Sequence, residues 1–157
     1  MMKRSPRAQL DEPRAMNSFP SPQAVSVESI QQNATVLVVD DFRIMCQLIA
    51  EMLRPRGYRV LMASSGAEAK ACARYNARID LLLTDLEMPE MRGDELALWF
   101  RAARPETRIL FMSSQNAVSA PEPVHFLPKP FRAEALVSKV REVLNHSSAP
   151  SAETAAA

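Results

Sequence analysis

Asp40 and Asp41 close the apolar run Val36-Leu37-Val38-Val39, and a second run, Leu81-Leu82-Leu83-Thr84, ends on Asp85. Unbroken Val/Leu runs bounded by polar residues read as strands buried on both faces, which implies a parallel sheet with helices on each side. Ligands of such sheets bind beyond the carboxyl ends of the strands, so the three acids would gather at one edge. Three carboxylates held together repel one another unless a cation sits among them. A hard cation bound by few carboxylates, with positions left open, suits Mg²⁺. Taken alone, Asp40-Asp41 would be a solvated helix start, since Asp is favoured at caps and complements the helix dipole.

The elements that would position these acids alternate along the chain. After the first strand, Ile44, Met45, Leu48, Ile49, Met52 and Leu53 recur at helical spacing, with Pro55 and Gly57 as the stop. A strand at Tyr58–Ala63 leads into Ser65-Gly66-Ala67-Glu68, a capping-box pattern that opens an Ala-rich helix to about Asn76. The third strand is Ile79–Thr84. A loop from Leu86 to Gly93 follows, then a helix to Ala103 with Leu96 and Phe100 inward, and a fourth strand at Arg108–Met112. Residues 113–123 contain Pro121 and Pro123 and fit at most a turn or two of helix. Val124–Leu127 is a fifth strand, and Glu134–Leu144 is an amphipathic helix facing inward with Leu136, Val137, Val140 and Leu144. This alternation predicts a doubly wound α/β fold around a five-stranded parallel sheet, with the helix after strand four shortened or absent.

The rest of the chain narrows the function. Its 157 residues allow one domain, and a formal charge of +1 with no long apolar stretch gives no reason to expect nucleic acid or membrane as partners. No secretory signal follows the basic start, so a cytoplasmic protein is expected. Residues 1–33, rich in Pro, Ser and Gln, read as a disordered leader, 34–145 as the ordered domain and 146–157 as a disordered tail. Cys46 and Cys72 read as small buried hydrophobes. His125 and His146 lack metal-ligand spacing and read as surface or half-buried side chains. No Gly-rich phosphate loop is present, which disfavours a nucleotide site.

Four segments in order, Val-Leu-Val-Val-Asp40-Asp41, Thr84-Asp85-Leu-Glu-Met-Pro89-Glu-Met-Arg-Gly93, Ile-Leu-Phe-Met-Ser113-Ser and Phe126-Leu-Pro-Lys129-Pro130-Phe131, each meet a strand's carboxyl end. Together they resemble the receiver domain of bacterial response regulators over roughly residues 35–145. The resemblance implies the flavodoxin-like strand order 2-1-3-4-5, for which chemotaxis receivers are a standard illustration. It implies that Asp85 is the phosphoryl acceptor, taking the group from a phosphohistidine of a sensor histidine kinase or histidine phosphotransfer protein. It further implies that Asp40, Asp41, Asp85 and the backbone carbonyl of Glu87 hold Mg²⁺. Lys129 would pair with a phosphoryl oxygen and Ser113 would donate its hydroxyl to another. Phe126 falls at the family's aromatic switch position, and Glu87 and Gln115 fall where the family tunes the lifetime of the acyl phosphate. A cis Lys129–Pro130 bond is also implied.

Only 15 residues separate Ser113 from Lys129, several fewer than most receivers carry. The surface made by the fourth helix, fifth strand and last helix should therefore be remodelled, as in receivers attached to hybrid histidine kinases. Twelve Ser/Ala-rich residues after 145 cannot hold a winged-helix output module, so a stand-alone receiver acting through protein contacts, or as a relay intermediate or sink, is expected. It would catalyse only its own phosphorylation and dephosphorylation. The competing reading is a phosphorylation-independent interaction module with a receiver fold, which has no physical need for three crowded acids.

Overall fold

The structure, a computed structural model, describes residues 33–114 and 125–146. Strand β1 (Thr35–Val39) is buried at every position, and its side chains alternate between two cores. Val36 and Val38 point to one side of the sheet, Leu37 and Val39 to the other. Helix α1 (Arg43–Leu53), β2 (Arg59–Ala63), α2 (Gly66–Tyr75), β3 (Leu81–Asp85), α3 (Gly93–Ala103), β4 (Arg108–Ser113), β5 (His125–Pro128) and α4 (Ala133–Asn145) follow. The strands form one sheet in the order β2-β1-β3-β4-β5, and every pairing is parallel. Both the doubly wound architecture and the flavodoxin-like order are thus as the sequence predicts.

Among the described residues, two helices pack on each face of the sheet. Cys46, Ile49 and Leu53 of α1 and Leu136, Val140 and Val143 of α4 pack on Val36, Val38, Leu81, Leu83, Leu110 and Met112. On the opposite face Ala69 and Ala73 of α2 and Leu96 and Phe100 of α3 pack on Leu37, Val39, Leu82 and Phe111. Small side chains on α2 let that helix lie close to the sheet, while Phe100, fully buried, fills the space beneath α3. Deleting a side chain of that size from a close-packed core typically costs about 3–5 kcal/mol.

Local chemistry sets the element ends. Helix α1 runs into a single 3-10 turn at Arg54–Arg56 that carries Pro55 and closes on Gly57 at φ 90°, a left-handed conformation glycine adopts without a Cβ clash. Ser65 caps α2 by accepting the Glu68 N–H at 3.1 Å. The Glu68 carboxylate reaches one residue further back than in a standard capping box, accepting both the N–H and the hydroxyl of Ser64 at 2.7 Å. The guanidinium of Arg104 satisfies the far end of α2 by donating to the carbonyls of Ala73, Asn76 and Ala77.

The structure differs from the sequence reading in details. Strand β3 starts at Leu81 rather than Ile79 and takes in Asp85; Asp80, just before it, donates its N–H to the Thr35 carbonyl and accepts the Arg108 N–H, and its carboxylate accepts the Thr35 N–H at 2.8 Å. On α4 Val143 is fully buried as well, while Leu144 is half-buried against the same core; both lie one turn beyond Val140. Cys46 is buried as expected, but Cys72 is only half-buried at the margin of the second core. The shortened segment between β4 and β5, Gln115, the leader up to residue 32 and the tail from residue 147 lie outside the described residues. None of the described helices is long and apolar enough to cross a membrane.

Removing the Ser65 hydroxyl isolates one of these local terms. Ser65→Ala should lower unfolding free energy by about 1 kcal/mol in urea titrations at neutral pH. The Ser64 contacts hold the Glu68 carboxyl below its ordinary value of 4.5, so the stability they add is complete above that value and fades as the pH falls through the lowered one.

Candidate functional site

Strand register brings the acids together. Val39 of β1 lies beside Thr84 of β3, so the next residues, Asp40 and Asp85, leave the sheet side by side. One carboxylate oxygen from each of Asp40, Asp41 and Asp85 lies within 4.8 Å of the other two. Asp40 is 1% exposed and its orientation is fixed from both sides. One oxygen accepts the Phe42 N–H at 2.9 Å, which turns the chain into α1, and the other accepts from the Lys129 ammonium at 2.9 Å. Asp41 is exposed, and Asp85 is 8% exposed.

Lys129 reaches this cluster from the end of β5. Ser113 pairs with Pro128, the Lys129 N–H donates to the Ser113 carbonyl at 2.8 Å, and the Lys129–Pro130 bond is cis, as the resemblance implies. The ammonium sits 3.5 Å from Asp85 Oδ1 as well as bonding Asp40. Burial opposes its charge, but Asp40 and Asp85 outweigh that and hold the ammonium above its ordinary value. For Asp85 burial dominates and raises its carboxyl; Lys129 and the Glu87 N–H pull it down, while Asp40 adds to the rise. One ammonium among three carboxylates leaves the cluster short of positive charge. Hard oxygen donors in that arrangement are able to coordinate a divalent metal ion.

The loop after β3 packs closely against the acids. Leu86 N–H donates to the Met112 carbonyl at 3.1 Å and Gly93 N–H to the Leu86 carbonyl at 3.0 Å, folding residues 86–93 back over the strand end. Gly93 has no alternative here, because a Cβ would collide with the backbone carbonyl of Asp85. Glu95 fastens the start of α3 by accepting the Arg92 N–H at 3.1 Å.

Of the residues singled out in the sequence, Asp40, Asp41, Asp85 and Lys129 meet at one point. Ser113 is buried on the neighbouring strand end, and Glu87 is exposed on the loop with its N–H turned to Asp85. Phe126 is half-buried against Phe111, with ring centroids 5.6 Å apart. The sequence reading placed Ile44 and Leu48 in the apolar stripe of the first helix and did not single out Phe42, but in the structure Phe42, just before α1, is 70% exposed, Ile44 71% and Leu48 45%. The helical period contains the signal, since Cys46, Ile49 and Leu53 already fill the inward face and leave Ile44 and Leu48 outside it.

Comparison with known proteins agrees with this geometry. The model of the response regulator receiver domain matches residues 36–141. The chain is 36% identical over 127 residues to the DNA-binding transcriptional regulator NtrC of Azospirillum brasilense, covering 76% of this chain and 26% of that one. It is 34% identical over 119 residues to the sensor kinase CckA of Brucella abortus, covering 71% of this chain and 13% of the kinase. The chain thus spans well under two thirds of either relative. Among solved structures, the receiver domain of the hybrid histidine kinase CckA superposes with a TM-score of 0.63 at 33% identity, covering 71% of this chain and 99% of that domain. The Vibrio cholerae chemotaxis protein CheY4 gives 0.64 at 31% identity, covering 70% and 98%. An acid cluster with a lysine bridging two of its members, on this strand order, agrees with these likenesses, and the chain belongs to the response regulator receiver domain family.

Proposed function

We propose that residues 34–145 form a receiver that accepts a phosphoryl group on Asp85 from a phosphohistidine of a sensor histidine kinase or histidine phosphotransfer protein, in a Mg²⁺-dependent reaction. The observation that carries this reading is the position of Asp85 at a strand end, 3.5 Å from Lys129 and grouped with Asp40 and Asp41. An Asp85 oxygen attacks phosphorus as the phosphorus–nitrogen bond of the donor breaks, and the released imidazole nitrogen takes up a proton. Asp40, Asp41, Asp85 and the Glu87 carbonyl would hold Mg²⁺. Charge compensation on the transferring phosphoryl oxygens is the chemistry that ion supplies when bound.

The chain's own groups do the rest. Asp40 keeps the Lys129 ammonium at the site before the phosphoryl group arrives, so little reorganisation is needed for it to meet a phosphoryl oxygen. Ser113 would donate its hydroxyl to another oxygen, and Phe126 would repack inward from its half-buried place beside Phe111. Phosphorylation biases that shift only through contacts that differ between the two states. Exposed Phe42, which follows Asp41, and exposed Ile44 and Leu48 on α1 would offer an apolar surface on which a donor protein can dock with its histidine near Asp85. Glu87 and Gln115 would tune the lifetime of the acyl phosphate, a role that rests on the resemblance to receivers. The receiver is read as cytoplasmic, acting on a downstream protein or as a relay intermediate or sink.

Incubation with a small acyl-phosphate donor, followed by intact-mass measurement, tests the reading. One phosphoryl group should appear only with Mg²⁺, and Asp85→Asn should take up none; uptake by Asp85→Asn, or none by the native chain with Mg²⁺ bound, would refute it. Removing the Asp85 charge also relieves the crowding in the cluster. In chelator, Asp85→Asn should unfold at higher urea, by about 1 kcal/mol, and should gain less stability from Mg²⁺ than the native chain. A lower midpoint for the variant in chelator would contradict the electrostatic account.

A further inference from the structure

We propose that the end of the sheet remote from the acid cluster is a docking surface for an acidic segment of a partner protein, held there whether or not Asp85 is phosphorylated. The formal charge of +1 conceals a division of charge between the two ends of the fold. All strand pairings are parallel, so every strand starts at one end and delivers its last residues to the other. Beside Asp40, Asp41 and Asp85, the loop after β3 adds Glu87 and Glu90, while Arg43 there is paired with Glu68, Arg92 with Asp94, and Lys129 with Asp40. The opposite end is basic. Arg54 and Arg56 stand in the turn that closes α1, Arg59 opens the edge strand β2 opposite Thr35, and Arg74 lies in the last turn of α2. All four are exposed, and among the described residues their guanidinium groups make no ion pair or hydrogen bond.

Folding does not call for this grouping. Cations near helix C-termini offset the dipole, which accounts for Arg54 and Arg74, but Arg59 lies on a strand and gains nothing from it. Other arginines at the same end serve the fold directly: Arg78 pairs with Asp80 at 2.8 Å, Arg104 donates to the carbonyls that end α2, and Arg108 donates to the His146 carbonyl. The unpaired four are left with mutual repulsion that an anion would relieve. A guanidinium is a planar fork that meets a carboxylate with two hydrogen bonds and is more weakly hydrated than an ammonium. Exposed Glu51, one turn before Arg54, and exposed Glu106, ahead of β4, choose among anions. A phosphate backbone or an anionic bilayer presents uniform charge and would be repelled by them, whereas a protein segment can set carboxylates on the arginines and other side chains on the two acids. Tyr75, 89% exposed beside Arg74, adds an aromatic of the kind enriched in protein interfaces. The five residues of β1 separate the two ends by about 16 Å, against a screening length of about 8 Å at physiological ionic strength. Charge added at Asp85 is therefore little felt at the arginines, and docking there needs no phosphoryl chemistry.

Fluorescence anisotropy of a labelled oligoglutamate peptide, titrated with the full chain in chelator at low ionic strength, tests the surface. The native chain should bind the peptide, and added salt should weaken binding steeply. The triple variant Arg54→Glu, Arg56→Glu, Arg59→Glu should weaken it by at least about tenfold. Arg132→Glu, a charge reversal at the other end of the fold, and Asp85→Asn should leave it unchanged. In the native chain, amide resonances of residues 54–59 and 74–76 should shift as peptide is added while those of residues 40–43 and 85–87 stay in place, a result that requires no variant to fold. No binding at low ionic strength, binding indifferent to the triple variant, tighter binding of duplex DNA or of phosphatidylserine vesicles than of the peptide, or release of the peptide on phosphorylation of Asp85 would overturn the proposal.

Discussion

Lys129 between Asp40 and Asp85 is the interaction on which the arrangement of this molecule depends. A sheet whose central strands are buried on both faces cannot leave carboxylates at its edge without compensation, because the protein there replaces much of the water that would screen them. A single ammonium, 2.9 Å from one acid and 3.5 Å from the other, supplies part of that compensation and leaves the remainder to a metal ion. The same shortage of positive charge that destabilises the cluster is what gives it affinity for a cation and for the oxygens of a phosphoryl group. Stability and reactivity therefore pull against each other at Asp85.

Main-chain geometry sets where the Lys129 backbone stands, and the two carboxylates then hold its ammonium. The Lys129 N–H is tied to Ser113, the register of β4 and β5 sets where Pro128 ends, and β4 is itself aligned on β3, which delivers Asp85. Thr84 and Asp85 belong to the same register that places Val39 and Asp40. A slip of one residue in any of these pairings would carry an acid or the lysine to the wrong face of the sheet. The Val36–Val39 and Leu81–Leu83 runs are buried on both faces and bounded by Asp40, Asp80 and Asp85, so a slip would carry a carboxylate into the core, and core packing and site geometry are one constraint.

Much of this was legible in the sequence, for identifiable reasons. Uninterrupted Val/Leu runs ending in Asp reveal both strand type and the edge where Asp40, Asp41 and Asp85 collect, whereas Lys129 joins them only through the resemblance to receivers. Features decided by tertiary packing were not legible. Val143 and Leu144 both lie one turn beyond Val140, so the helical period does not choose between them; the fold buries Val143 fully and leaves Leu144 packed at the margin of the same core. Glu68 reads as a capping-box partner of Ser65, but in the fold its carboxylate goes to Ser64. The stacking of His125 on His146 follows from β5 and α4 being neighbours, a fact of topology with no local spacing to announce it.

Chemical location of the phosphoryl group tests the central claim most directly. Borohydride reduces an acyl phosphate to an alcohol, so treatment of the phosphorylated chain converts the modified aspartate into homoserine, which tandem mass spectrometry of peptides can place. The account predicts homoserine at position 85 with Asp40 and Asp41 intact. Homoserine at 40 or 41, or a phosphorylated chain whose Asp85 survives reduction unchanged, would contradict it.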